Sequence, residues 1–186
     1  MKLAYAFCGS FCTHAKALDE LELLAEKHDI TPVFSEITAA TDTRFGTAEE
    51  LHEKVNKICN NEIIKTIKRA EEVITKGKFD AVIVAPCTGN TLAKIASGIT
   101  DSTVTMSVKA QLRNRRPVII ALATNDGLSA NLFNIAMTLE KKNIYFVPFG
   151  QDNAIDKPTS LICNFDKIED TLELAIQGKQ LQPLLL

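Results

Sequence analysis

Short runs of apolar, often β-branched residues alternate along this chain with longer stretches whose apolar positions recur every three or four residues. The short runs at 3–8, 31–37, 81–85, 118–122 and 144–147 read as strands, and 81–85 reads as one buried on both faces of a parallel sheet. Between them lie amphipathic helical patterns. Ala17, Leu18, Leu21, Leu24 and Ala25 share one face of a helix that opens near Thr13 and runs to Lys27. Leu51, Val55 and Ile58 mark a second, and Ile63, Ile64, Ile67, Ala70, Val73 and Ile74 a third, with a break near Asn60 and Asn61. Further helices are expected to about Ser97 and over 104–114, 129–142 and 167–177. The aperiodic polar stretches 38–46 and 150–159 read as loops, the first on the ligand side of the sheet, where it can serve as a lid.

Strands alternating with helices imply parallel strands joined by right-handed crossovers, with helices on both faces. The expected fold is therefore a single three-layer Rossmann-like α/β domain over residues 1–186, with a mainly parallel sheet. A chain of 186 residues, 46% of them hydrophobic, is long enough for one well-buried core and short for two α/β domains.

In such a sheet, ligands bind at the carboxyl ends of the strands, where the winding reverses. Two turns suit that position. The first, Gly9-Ser10, follows the opening strand. In the second, Pro86 ends the 81–85 run, and Thr88, Gly89, Asn90 and Thr91 supply hydroxyls, an amide and free N–H groups at the positive end of a helix. Neither turn has a dinucleotide fingerprint, and no Gly-Lys-Ser/Thr phosphate loop occurs.

A formal net charge of −2, without basic residues interleaved with aromatics, disfavours nucleic-acid binding. No apolar run approaches the roughly 20 residues of a membrane span, and no secretory signal pattern is present, so a cytoplasmic location is expected. Five cysteines at irregular spacing fit reduced thiols. Cys8 and Cys12 lack a second Cys/His pair, so small buried thiols are expected and no metal site. His28 and His52 read as solvated surface residues, while His14 lies beside the first turn.

Several separate blocks carry a resemblance that spans nearly the whole chain. They are Gly9-Ser10-Phe-Cys-Thr13, Ser35, Asp42-Thr-Arg-Phe-Gly46, Pro86-Cys-Thr-Gly-Asn-Thr91 with the helix after it, Lys109-Ala-Gln-Leu-Arg-Asn114, Thr124-Asn-Asp126, Asn143 to Asp152 and Gly178 to Pro183. They are similar to the FMN-binding flavoprotein family of cysteine-peptide decarboxylases, phosphopantothenoylcysteine decarboxylases and flavin prenyltransferases, most of all to its branch of B-type dipicolinate synthase chains. The resemblance implies FMN held by Gly9, Ser10, Ser35, Thr88, Gly89, Asn90 and Thr91. It also implies an NADP-carrying partner, the A-type dipicolinate synthase subunit, together with a small dicarboxylate substrate. The implied reaction is oxidation of dihydrodipicolinate to dipicolinate in the mother cell of a sporulating bacterium, and a homo-oligomer is expected.

Two departures argue against decarboxylase chemistry. Residues 71–78 lack the histidine that the decarboxylating relatives carry there, and Leu122-Ala-Thr-Asn125 stands where they have Pro-Ala-Met-Asn. The alternatives are an independent FMN-dependent decarboxylase or prenyltransferase, and a non-catalytic binding subunit. Ser10 and Ser35 suit either phosphate binding or turn and cap chemistry, and Asn90 either a ligand contact or a helix cap. Arg113 suits either substrate carboxylate binding or a helix carboxyl terminus; Asn125 suits substrate contact, with a cap by Asp126 or Ser129 as the other reading of that turn. No residue is assigned a catalytic role.

Overall fold

The computed structural model describes residues 1–186. Strand β1 (Lys2–Phe7) leads through a 3₁₀ turn into helix α1 (His14–Ala25), and β2 (Asp29–Phe34) follows. Helices α2 (Glu36–Ala40), α3 (Ala48–Cys59) and α4 (Ile67–Lys76) then precede β3 (Ala81–Cys87). Helices α5 (Gly89–Ser97) and α6 (Thr103–Arg113) lead to β4 (Val118–Thr124), and α7 (Leu132–Leu139) to β5 (Ile144–Phe146). The chain closes with β6 (Phe149–Asn153), β7 (Lys157–Cys163) and α8 (Ile168–Ile176).

Strands β2, β1, β3, β4 and β5 lie side by side in that order and all run parallel. This order reverses direction between β1 and β3, which makes the gap beyond their carboxyl ends the switch point of the sheet. The crossover from β1 to β2 runs one way and that from β2 back past β1 to β3 the other, so right-handedness sends α1 and α4 to opposite faces. Forty-six buried apolar residues form one core cluster, and every residue of β3 is buried. Tyr5 reaches out of β1 to donate its hydroxyl to the Ala17 carbonyl of α1 at 2.8 Å, and Gln111 of α6 donates to the Phe79 carbonyl just ahead of β3 at 3.1 Å. Buried polar groups thereby fix each layer's position on the sheet. No helix is long and apolar enough to cross a membrane.

Four local expectations change. The second strand stops at Phe34, because Ser35 caps α2 by accepting from the Thr38 N–H, and Ile37 sits exposed on that helix. Ile63 and Ile64 are not helical. They run beside β2, with Ile64 bridged to Val33, so both side chains reach the core from an extended segment. The third strand passes through Pro86 to Cys87 with a register shift, and the Ala85–Pro86 peptide is cis. Residues expected as the 150–159 loop instead form the antiparallel β6–β7 hairpin, anchored on the end of β4 by Ala123 and Thr124. Its outer half is largely exposed, with Gln151, Asp152 and residues 154–158 all facing solvent.

Candidate functional site

The turn after β1, the start of α5, the turn after β4 and the β6–β7 hairpin surround a crevice of about 950 Å³ at the switch point. Gly9 and Ser10 line it from the first turn, Thr88, Gly89 and Asn90 from the second, and Thr124 to Asp126 from the third. Arg44 and Phe45, from the connection between α2 and α3, complete the wall, so the stretch read as a lid does border the site.

The second turn is built by its hydroxyls. Thr88 caps α5 by accepting from the Thr91 N–H at 3.2 Å and donates its own hydrogen to the Thr91 oxygen at 3.1 Å. Thr91 in turn donates to the Cys8 sulfur at 3.3 Å. Thr91 is buried and lies behind the crevice wall rather than on it. With Thr88 as cap, Asn90 is not one. It occupies the second helical position, exposed, and its amide bonds to no other residue. Helix starts leave their first N–H groups without intrahelical acceptors, so Gly89 and Asn90 present theirs at the positive end of the α5 dipole.

Gly89 is required by close packing. A Cβ there would run into the Asn131 amide, the Thr124 hydroxyl and the Asp126 carboxylate, which sit against the first turn of α5. Asp126 accepts from both Thr124 and Asn131, the latter at 2.9 Å, so its charge is held inside this cluster. Ser10 accepts from Thr13 through its carbonyl at 2.8 Å and its hydroxyl at 3.2 Å, leaving the Ser10 hydroxyl hydrogen free to donate.

The structure separates the remaining candidates. Asn125 lines the crevice and its side chain is free, its carbonyl accepting from the Thr159 hydroxyl at 2.7 Å. Ser35 does not reach the crevice; its hydroxyl is buried between Thr38 and the α2 cap. Arg113 lies at the other end of the sheet, on the last turn of α6. Its neighbours Asn114 and Arg116 bond the carbonyls of Thr75, Lys78 and Phe79, just ahead of β3. The helix-terminus reading describes Arg113 within this chain. Arg44, Phe45 and the hairpin residues Asp152, Asp156 and Lys157 were not foreseen as site residues, although Arg44 and Phe45 stand in a block already set apart by its resemblance.

His14 is buried under the first turn, its Nε2 2.7 Å from the Cys8 carbonyl and its ring edge-on to Phe7. Burial lowers its pKa, so it is neutral near pH 7. His28 and His52 are half-buried rather than solvated, and the His52 ring packs against Phe34 at 5.1 Å. Burial pushes the Cys8 thiol up to about 11 and the Cys87 thiol well above its ordinary value. Cys8 is thus buried as expected, whereas Cys12 is exposed at the crevice. No three His, Cys, Asp or Glu side chains converge as a metal site.

Comparison with known proteins supports a family assignment. The family model described as Flavoprotein matches residues 2–171. The B-type dipicolinate synthase subunit of Bacillus subtilis (strain 168) is 37% identical over 185 residues, covering 99% of this chain and 92% of that protein. The crystal structure of its counterpart, the B-type dipicolinate synthase subunit from Bacillus halodurans C, superposes with a TM-score of 0.91 at 39% identity, covering all of this chain and 95% of the other. At 21% identity, HAL3 from Cryptococcus neoformans shares the fold, with a TM-score of 0.68 and coverage of 95% and 96%. The FMN-dependent cysteine decarboxylase SpaF also shares it, at 20% identity, a TM-score of 0.65 and coverage of 94% and 97%.

Proposed function

The chain belongs to the Flavoprotein family, and on that premise we propose that it binds FMN in the switch-point crevice and works as the B-type component of a dipicolinate synthase. The observation that carries this reading is the crevice itself. Its volume lies within the roughly 300–1,000 Å³ of small-molecule sites, and its donors are concentrated where the two turns meet. Gly9, Ser10, Thr88, Gly89 and Asn90 are the residues that would hold the cofactor. Their fit rests on the free Ser10 hydroxyl, the unpaired N–H groups at the start of α5 and the uncommitted Asn90 amide. Bound FMN supplies reversible hydride chemistry, and the protein supplies position and polarity.

In this reading the substrate is dihydrodipicolinate, oxidised to dipicolinate together with an A-type partner that binds NADP, in the mother-cell cytoplasm of a sporulating bacterium. The absence of a dinucleotide fingerprint in this chain supports placing NADP on the partner. The lack of a histidine in residues 71–78, where the decarboxylating relatives are expected to carry one, supports a B-type role over independent decarboxylation. The reading also includes one domain over residues 1–186 and a homo-oligomeric assembly.

The test is an absorbance spectrum of the freshly purified chain with and without FMN, followed by turnover with and without the A-type partner. Flavin binding and oxidation only in the mixture are expected. A folded chain that takes up no FMN at millimolar concentration removes the flavin, and NADP reduction by this chain alone removes the division of labour.

A further inference from the structure

Five charged side chains line the crevice: Arg44, Asp126, Asp152, Asp156 and Lys157. Four are already committed. Asp126 accepts from Thr124 and Asn131. Lys157 and Asp152 pair at 2.8 Å, and Asp156 accepts from the Asn153 amide at 2.9 Å. Arg44 has neither an ion-pair nor a hydrogen-bond partner, and its guanidinium lies 4.8 Å from the centre of the Phe45 ring. Asp126 and Asp156 have neutral donors, Lys157 has Asp152, and Arg44 is therefore the one cation of the crevice without an anionic partner.

The backbone around Arg44 is closed on itself. Thr43 and Gly46 exchange N–H to carbonyl bonds at 3.0 and 3.1 Å, and the Phe45 N–H goes to the Thr43 hydroxyl at 3.1 Å. Asp42 accepts from the Ala48 N–H at 2.9 Å, so its carboxylate serves the start of α3. Thr47 and Glu50 form a capping box on the same helix. A tight turn tied to a capped helix thus carries a guanidinium, rested on an aromatic face, at the edge of the crevice. Such a group offers a planar fork of donors that matches a carboxylate in two parallel hydrogen bonds.

We propose that Arg44 is the substrate-anchoring residue of this crevice, binding one carboxylate of the dicarboxylate in bidentate fashion. This rests on the reading of the crevice as a flavin and dicarboxylate site. The second carboxylate falls to the Asn125 amide, which also lacks a partner within the chain. Arg44 thereby takes the place that the sequence assigned to Arg113, and it selects for two acidic groups over one.

Calorimetry on the full chain tests this, with pyridine-2,6-dicarboxylate, pyridine-2-carboxylate and FMN as separate probes. The wild type is expected to bind the dicarboxylate more tightly than the monocarboxylate. Arg44→Ala is expected to lower dicarboxylate affinity by roughly tenfold or more, as loss of hydrogen bonds to a charged group does. It should also erase the preference for two carboxylates and leave FMN affinity and the denaturation midpoint unchanged. Arg44→Lys should restore the affinity only in part, because an ammonium is a point charge without the fork. Unchanged dicarboxylate affinity in Arg44→Ala overturns the inference, as does loss of FMN affinity in its place. A wild type that binds FMN but no dicarboxylate also overturns it and leaves the flavin reading standing. A wild type that binds the dicarboxylate through Arg44 but no FMN fails the flavin reading alone.

Discussion

Across the switch point, the Thr91 hydroxyl donates to the Cys8 sulfur at 3.3 Å, joining the start of α5 to the end of β1. The same oxygen accepts from Thr88, so a chain of two hydrogen bonds runs from the α5 cap to the neighbouring strand. The two turns that form the crevice floor are held as one unit, and their spacing is set from behind rather than by any ligand.

Because Thr88 is the cap and Asn90 is free, exchanging each for alanine should give opposite results. Thr88→Ala should cost about 1 kcal/mol of stability. Asn90→Ala should leave the denaturation midpoint within about 0.5 kcal/mol of wild type, as for other exposed positions, while weakening FMN binding. Urea titration and flavin calorimetry on both variants check this. A midpoint loss in Asn90→Ala with flavin affinity intact would reverse the two roles.

Gly89→Ala should destabilise by about 1–3 kcal/mol, the range for a methyl group forced into packed surroundings. The gain of roughly 0.5–1 kcal/mol that alanine normally brings over glycine in a helix is too small to offset it. The neighbours cannot retreat easily, since Asn131 is buried and Asp126 is bonded twice. A denaturation midpoint equal to or above that of the wild type would show that this cluster yields.

Thiol labelling of the native protein should mark Cys12 first. Cys8, Cys87 and Cys163 are buried, and burial pushes the Cys59 thiol up to about 12, keeping it protonated at neutral pH. Because Cys12 lines the crevice, bound FMN should slow its alkylation. Peptide mass spectrometry after timed iodoacetamide treatment, with and without flavin, gives the order directly.

Acid should weaken the fold through His14. Its pKa is lowered from 6.5 by burial, so the folded state disfavours the proton that the unfolded chain accepts. The stabilisation is complete above pH 6.5 and is lost as pH falls through the lower, folded value. Imidazole resonances followed by NMR should show the His14 ring titrating below 6.5. A titration at or above that value contradicts burial as the governing cause.

The parallel sheet and the two turns at its switch point were legible because both rest on local chemistry: β-branched runs for the strands, and hydroxyl, amide and glycine residues at their ends. The β6–β7 hairpin was not. Residues such as Gln151 and Asp152 are polar and exposed on a strand with little buried surface, and the pairing of β7 with the end of β4 is a tertiary relationship without a periodic signal. Ile63 and Ile64 misled for a similar reason, since their apolar side chains suit a helix face as well as an extended edge. Arg113 and Arg44 show the same limit at the site. Sequence supplies the charge of a side chain, and only the course of α6 and of the 42–47 turn determines which guanidinium meets the crevice.

The bridge between Val33 and Ile64 has a consequence for solubility. Strand β2 is the last parallel strand on its side, and its outer rim would otherwise offer a row of unpaired backbone groups to any other chain. Ile64 occupies that rim, donating to the Pro32 carbonyl and accepting from the Phe34 N–H, both at 2.9 Å. Pro32 itself has no N–H to present. The protein thus seals this border with its own residues, so that disrupting the 63–64 segment would expose a template for intermolecular β-pairing and aggregation.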